Sequence, residues 1–139
     1  MHRIVIDTNV LISAALSKSY PYKIVYDLIF EEEKVLTFAS DPILKEFKAV
    51  IEYPKFKKYP DFTFNTRNII NGLIRFSILV QPNIFVDIIK DKSDNKFLDA
   101  ALSSRADFLI TGNSRDFAFL RFENTEIISP EKYWSTYWK

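Results

Sequence analysis

Three carboxylates, Asp7, Glu46 and Asp94, stand at positions where an α/β chain can bring chemistry together. Asp7 closes the apolar run Ile4-Val5-Ile6 and is followed by Thr8-Asn9. Glu46 borders the helical stripe of Ile43, Phe47 and Val50, an edge position from which a side chain tends to face a cleft. Asp94 opens the segment DNKFLDAALSSR. Asp99, about 130° from that helix's apolar stripe, is expected to face solvent. Each acid also has a local reading. Asp7 can bond the amides of a turn, Glu46 can be a solvated helix flank, and Asp94 can be an N-cap. Taken together, hard oxygen donors suit Mg²⁺ or Mn²⁺, and a divalent cation relieves their mutual repulsion. Such a site lowers the pKa of a bound water and polarises a phosphodiester, with two ions about 3.5–4 Å apart in the usual arrangement.

Composition removes most competing chemistries. The 139-residue chain has no cysteine, one histidine (His2) and two glycines, Gly72 and Gly112. Thiolate zinc sites, disulfides and cysteine nucleophiles are excluded, and a serine triad or histidine-rich zinc site is implausible. Two glycines are too few for a dinucleotide or phosphate loop of the glycine-rich kinds. A net charge of +1 makes no global electrostatic argument for nucleic acid. The length suits one domain over residues 1–139, and no apolar run reaches the roughly 18–20 residues of a membrane span. With no signal-peptide pattern either, a soluble, cytoplasmic protein is expected.

The elements that must position these acids alternate between strand and helix. Residues 3–6 read as a strand, and Val10–Leu16 has helical spacing. A helix starting at Pro21 ends at the solvated acidic run Glu31-Glu32-Glu33. A strand over Lys34–Phe38 precedes a helix opened by Ser40-Asp41-Pro42. Residues 52–61 read as a loop or short helical arm, followed by a helix from about Phe64 to Arg75 and a strand over Ser77–Val80. Gln81–Lys92 is ambiguous. A helix from Asp94 to about Arg105, a strand over Phe108–Ile110, a short helix near Ser114–Leu120, a strand near Glu126–Ile128 and a helix from Pro130 complete the chain. Short, continuously apolar strands between helices imply a parallel sheet covered on both faces. Ligands gather at the carboxyl ends of such strands, where Asp7 and Thr111-Gly112-Asn113 fall.

IDTNVLISA, SDPILKEFKAVIEYPKF, DNKFLDAALSSRADFLITGNSRDF and the ending ISPEKYW resemble PIN-domain proteins over nearly the whole chain. The nearest group is the VapC-like toxins of type II toxin–antitoxin modules. The resemblance implies a three-layer α/β/α sandwich with a central parallel sheet. It also implies Mg²⁺ or Mn²⁺ at clustered acids and a ribonuclease specific for single strands, leaving a 5′-phosphate. By the same resemblance the first three acids are Asp7, Glu46 and Asp94, both as metal ligands and as catalytic groups. The family's fourth acidic position falls on Asn113, a departure that leaves a second metal in doubt, and Asp116 lies close enough to substitute in part. Asn9, Thr111 and Asn113 are supporting residues that orient Asp7 or a metal-bound water. Implied partners are an RNA substrate, a cognate antitoxin and a second copy of the chain.

RNA needs cations for phosphates and aromatics for bases, and Tyr53-Pro54-Lys55-Phe56-Lys57-Lys58-Tyr59 offers both. Lys55, Lys57 and Lys58 are the candidate RNA contacts; a solvated loop with its aromatics tucked inward is the alternative. The aromatic ending Tyr133–Trp138 is either a packing or dimer surface or part of the monomer core. Two other functions compete with the ribonuclease: a PIN-like binding module with little activity, and a metal-dependent phosphohydrolase acting on small phosphates.

Overall fold

The apolar run after the N-terminus becomes the centre of a sheet. In a computed structural model, which describes residues 1–83, 94–112 and 121–139, strand β1 (His2–Ile6) lies between β2 (Val35–Ala39) and β4 (Phe108–Ile110). The six strands run in the order β3-β2-β1-β4-β6-β5, with β3 at Ile78–Leu79, β5 at Arg121–Phe122 and β6 at Thr125–Ile128. All neighbours are parallel except β5 and β6, which pair as an antiparallel hairpin. The central parallel sheet expected from the sequence is present, with this one antiparallel pair at its edge. The reason for the pair is local, for the link between β5 and β6 is only Glu123 and Asn124, too short for a crossover. Glu123 takes a left-handed conformation there, with φ 53°.

Alternation along the strands sorts the core into two layers. Ile4, Ile6, Val35, Ala39, Phe108, Ile110 and Ile128 pack on one face. There they meet α1 (Thr8–Leu16), the π-helical segment Lys23–Glu31 and α4 (Phe62–Phe76). That segment continues from a single α-turn, α2 (Tyr20–Tyr22). Tyr133, from α6 (Pro130–Tyr137), joins this layer and is fully buried. Val5, Phe38, Leu109 and Ile127, the residues between, form the opposite layer with Phe97, Leu98, Ala100 and Ala101 of α5 (Asn95–Ser104). Helix α3 (Asp41–Val50) sends Ile43 to this layer and Leu44 and Phe47 to the first. These layers make the three-layer α/β/α sandwich.

Capping sets where the helices begin. Ser40 accepts from the Ile43 amide at 3.4 Å and Ser129 from the Lys132 amide at 3.2 Å, each followed within two residues by proline. Gly72 has a packing reason: a Cβ there would clash with the tip of the Phe30 ring, so any larger residue would require that ring to shift. The predicted helix over 114–120 lies outside the described residues. No helix among the described residues is long and apolar enough to cross a membrane.

Candidate active site at the carboxyl ends of the strands

Sheet pairing brings Asp7 and Thr111 side by side. Ile6 is in register with Ile110, and one residue beyond each strand the chain still bonds to its neighbour. The Asp7 amide donates to the Ile110 carbonyl and the Thr111 amide to the Ile128 carbonyl, both at 2.9 Å. The side chains then meet: Thr111 Oγ1 donates to Asp7 Oδ2 at 2.6 Å. Asp7 Oδ1 accepts from the Asn9 amide at 3.2 Å, so this carboxylate also caps α1. The Asn9 contribution is its main-chain amide; the residue itself is exposed.

Asp7 is 4% exposed, and burial pushes its carboxyl above the ordinary value of 3.8. The Thr111 hydroxyl and the Asn9 amide oppose that rise, the charge on Glu46 adds to it, and the Lys96 ammonium opposes it. Asp7 and Glu46 thus lie within electrostatic reach of each other. Glu46 is held from two sides, Thr8 Oγ1 donating to Oε2 at 2.8 Å and Lys96 Nζ standing 3.4 Å from Oε1. Its side chain is 26% exposed and that of Lys96 20%, which rules out a freely solvated helix flank.

Asp94 stands at the N-cap of α5, yet its side chain does not cap that helix. Asp99, expected toward solvent, is half-buried. Among the described residues, no three His, Cys, Asp or Glu side chains are grouped closely enough to hold a metal ion. The two acids within electrostatic reach, one buried and one half-buried, suit Mg²⁺ or Mn²⁺, since Mg²⁺ is usually held by one or two carboxylates plus water and substrate oxygens. Asn113 and Asp116 lie outside the described residues.

Thr8 and Lys96 were not singled out from the sequence. Thr8 carries no local signal, for its partner is 38 residues away. Lys96 carries a faint one: a cation in the first turn of a helix opposes the helix dipole and so needs another reason to be there.

The lysine-rich arm lies beyond the C-terminal end of α3. Lys55, Lys57 and Lys58 are exposed around a 3₁₀ turn at Pro54–Phe56. Phe56 is buried and stacks on Phe62 with centroids 4.5 Å apart, while Tyr53 and Tyr59 are exposed. A cleft of about 280 Å³ opens here, with Tyr53, Phe56, Phe62, Thr66 and Arg67 in its walls. Of the three lysines only Lys57 lines it.

A mostly parallel α/β/α sandwich with a buried acid at the carboxyl end of its first strand, and a second acid on α3 within electrostatic reach, defines a class of carboxylate-bearing α/β proteins. Comparison with known families narrows the class. The family model of the PIN domain matches residues 3–115, and the chain belongs to that family. A relative from Methanocaldococcus jannaschii, Uncharacterized protein MJ1680, is 39% identical over 123 residues, covering 88% of this chain and 77% of the relative. Among solved structures, a chain of "Crystal structure of VapBC2 from Rickettsia felis bound to a DNA fragment from their promoter" superposes with a TM-score of 0.57. The match covers 91% of this chain and 98% of the other at 14% identity, a likeness of fold. PIN domains are generally nucleases, and PIN nucleases typically use divalent metal ions.

Proposed function

We propose that this chain is a Mg²⁺- or Mn²⁺-dependent endoribonuclease acting on single-stranded RNA. The observation that carries the reading is the buried Asp7 carboxylate, deprived of water and within reach of a second charge on Glu46. Two acids so placed are costly unless a cation shares them. In this reading Asp7 and Glu46 hold the metal, with Asp94 as the third acid. Bound there, the ion supplies a water of lowered pKa and polarises the phosphodiester. Thr111 fixes the rotamer of Asp7 and Thr8 that of Glu46, so the oxygens are oriented before any substrate arrives. By the family resemblance the fourth acidic position falls on Asn113, with Asp116 as a partial substitute, and fewer acids favour one ion over two. Lys55, Lys57 and Lys58, with the cleft beside them, offer the RNA its phosphate contacts.

The shared fold with VapBC2 and the motifs IDTNVLISA and DNKFLDAA support a further step: a cytoplasmic toxin held by a cognate antitoxin and working as a homodimer. A second reading, a binding module with weak activity, draws on Asn113 at the fourth acidic position.

The test is cleavage of a single-stranded RNA oligomer by the purified chain with Mn²⁺. Asp7→Asn and Glu46→Gln should each lower the rate by at least about 10²-fold, the scale on which removal of one electrostatic group at a reacting centre is felt. Circular dichroism should remain that of the folded protein. Cleavage by Asp7→Asn at the unaltered rate would exclude the reading.

A further inference from the structure

Lys96 occupies a position that ordinary physical preferences argue against. It is the second residue of α5, where unpaired amides and the helix dipole disfavour a positive charge. Its side chain is only 20% exposed, so the ammonium has lost much of its water as well. Among the described contacts, Glu46 Oε1 at 3.4 Å offsets both costs, with Asp7 close enough to feel the same charge. The other oxygen of Glu46 is taken by the Thr8 hydroxyl, and both oxygens of Asp7 have donors, the Asn9 amide and the Thr111 hydroxyl. Among the described residues, the ammonium stands at the one oxygen of the pair that no neutral donor engages. A divalent ion bound between the two acids would meet it as a like charge at close range.

We propose that Lys96 is the resident counter-cation of the site, holding Asp7 and Glu46 together without metal, and that a divalent ion binds by displacing its ammonium from Glu46. Lys96 is then a positioning residue that sets metal affinity. The inference rests on the metal-binding reading above but makes its own claim about the direction of an effect. If Lys96 were merely a structural ion pair at the rim, its removal would leave metal affinity alone. If it oriented Glu46 for the metal, its removal would weaken binding.

Calorimetric titration of the 139-residue chain with Mn²⁺ separates these cases without any activity measurement. Lys96→Met keeps the apolar stem and removes the charge; it should bind Mn²⁺ at least about tenfold more tightly, a change of about 1.4 kcal/mol. Lys96→Arg, which keeps the charge, should stay within about threefold of the parent, well short of that 1.4 kcal/mol step. Without metal Lys96→Met should melt at a lower temperature than the parent, and Mn²⁺ should raise its melting temperature by the larger amount. Lys96→Gln serves in the same titration if the methionine variant is poorly folded. Equal or weaker Mn²⁺ binding by both neutral variants overturns the role of Lys96 while leaving the metal site standing. Absence of saturable Mn²⁺ binding in the parent and in every variant overturns the metal-binding reading, and the counter-cation role with it.

Discussion

The two ends of the central sheet handle polar groups in opposite ways. At the amino end they are committed to the main chain. Arg3 donates twice to the Ser104 carbonyl, at 3.0 and 2.7 Å, Asp107 accepts from the Arg3 amide at 2.8 Å, and Thr125 donates to the Ala106 carbonyl at 2.7 Å. Around them His2 packs at a tilt on Phe108 and Tyr133 and edge to face on Tyr137 and Trp138, and His2 Nδ1 meets the Tyr133 hydroxyl at 2.8 Å. Burial pushes that phenol up to about 12, so it stays neutral over the physiological range. At the carboxyl end, by contrast, hydroxyls and an ammonium surround two acids. One end ties the fold together; the other concentrates negative charge where little water reaches it.

The sharpest way to break this division is at the aromatic end. Tyr133→Ala should destabilise the protein by about 3–5 kcal/mol, as large-to-small changes of buried aromatics do. The urea midpoint should fall accordingly, while Mn²⁺ affinity measured below the transition stays unchanged. A smaller effect is expected across the sheet. Thr111→Val removes the donor to Asp7 Oδ2 and should cost about 1–3 kcal/mol, the scale for stranding a buried acceptor. Unlike Tyr133→Ala, it should also slow cleavage, because the carboxylate loses its fixed rotamer. Equal effects of the two variants on cleavage would erase the contrast between the ends.

The smallest effect is a pH dependence. Because burial raises Asp7 above 3.8, the folded chain holds this proton more tightly than the unfolded one does. Between 3.8 and the raised value, the native state binds more protons, so the Asp7 contribution falls as pH rises and is constant beyond that window. In metal-free urea titrations, the stability of Asp7→Asn relative to the parent should therefore climb through that window and then level off. A flat difference would mean that Asp7 carries no such penalty.

Much of the fold is legible from local patterns. The run Ile4-Val5-Ile6, the Ser40-Asp41-Pro42 and Ser129-Pro130 helix starts and the stripe of α3 all act through neighbours in sequence. The placement of Asp7 after β1 and of Glu46 on α3 was legible for a related reason: strand ends and stripe edges are positions that periodicity defines. The pairs Thr8–Glu46, Lys96–Glu46 and Thr111–Asp7 depend on how elements dock, which periodicity does not encode. The π-helical winding of Lys23–Glu31 was equally hidden, since its apolar stripe of Ile24, Leu28 and Ile29 reads as an ordinary helix. Nor does a two-residue strand such as β5 offer enough alternation to reveal its direction.

The hydrogen bond from Thr111 to Asp7 spans 104 residues and so has a consequence for synthesis. Elongation at about 5–20 residues per second puts on the order of 5–20 s between the appearance of Asp7 and that of its partner. Late in that interval the residues of α1 and α3 have been made but those of β4 have not, and Asp7 lacks both its neighbour strand and the hydroxyl that orients it. A ribosome-bound fragment therefore carries the acids without their arrangement, and whatever the finished site does begins only after the last third of the chain has docked.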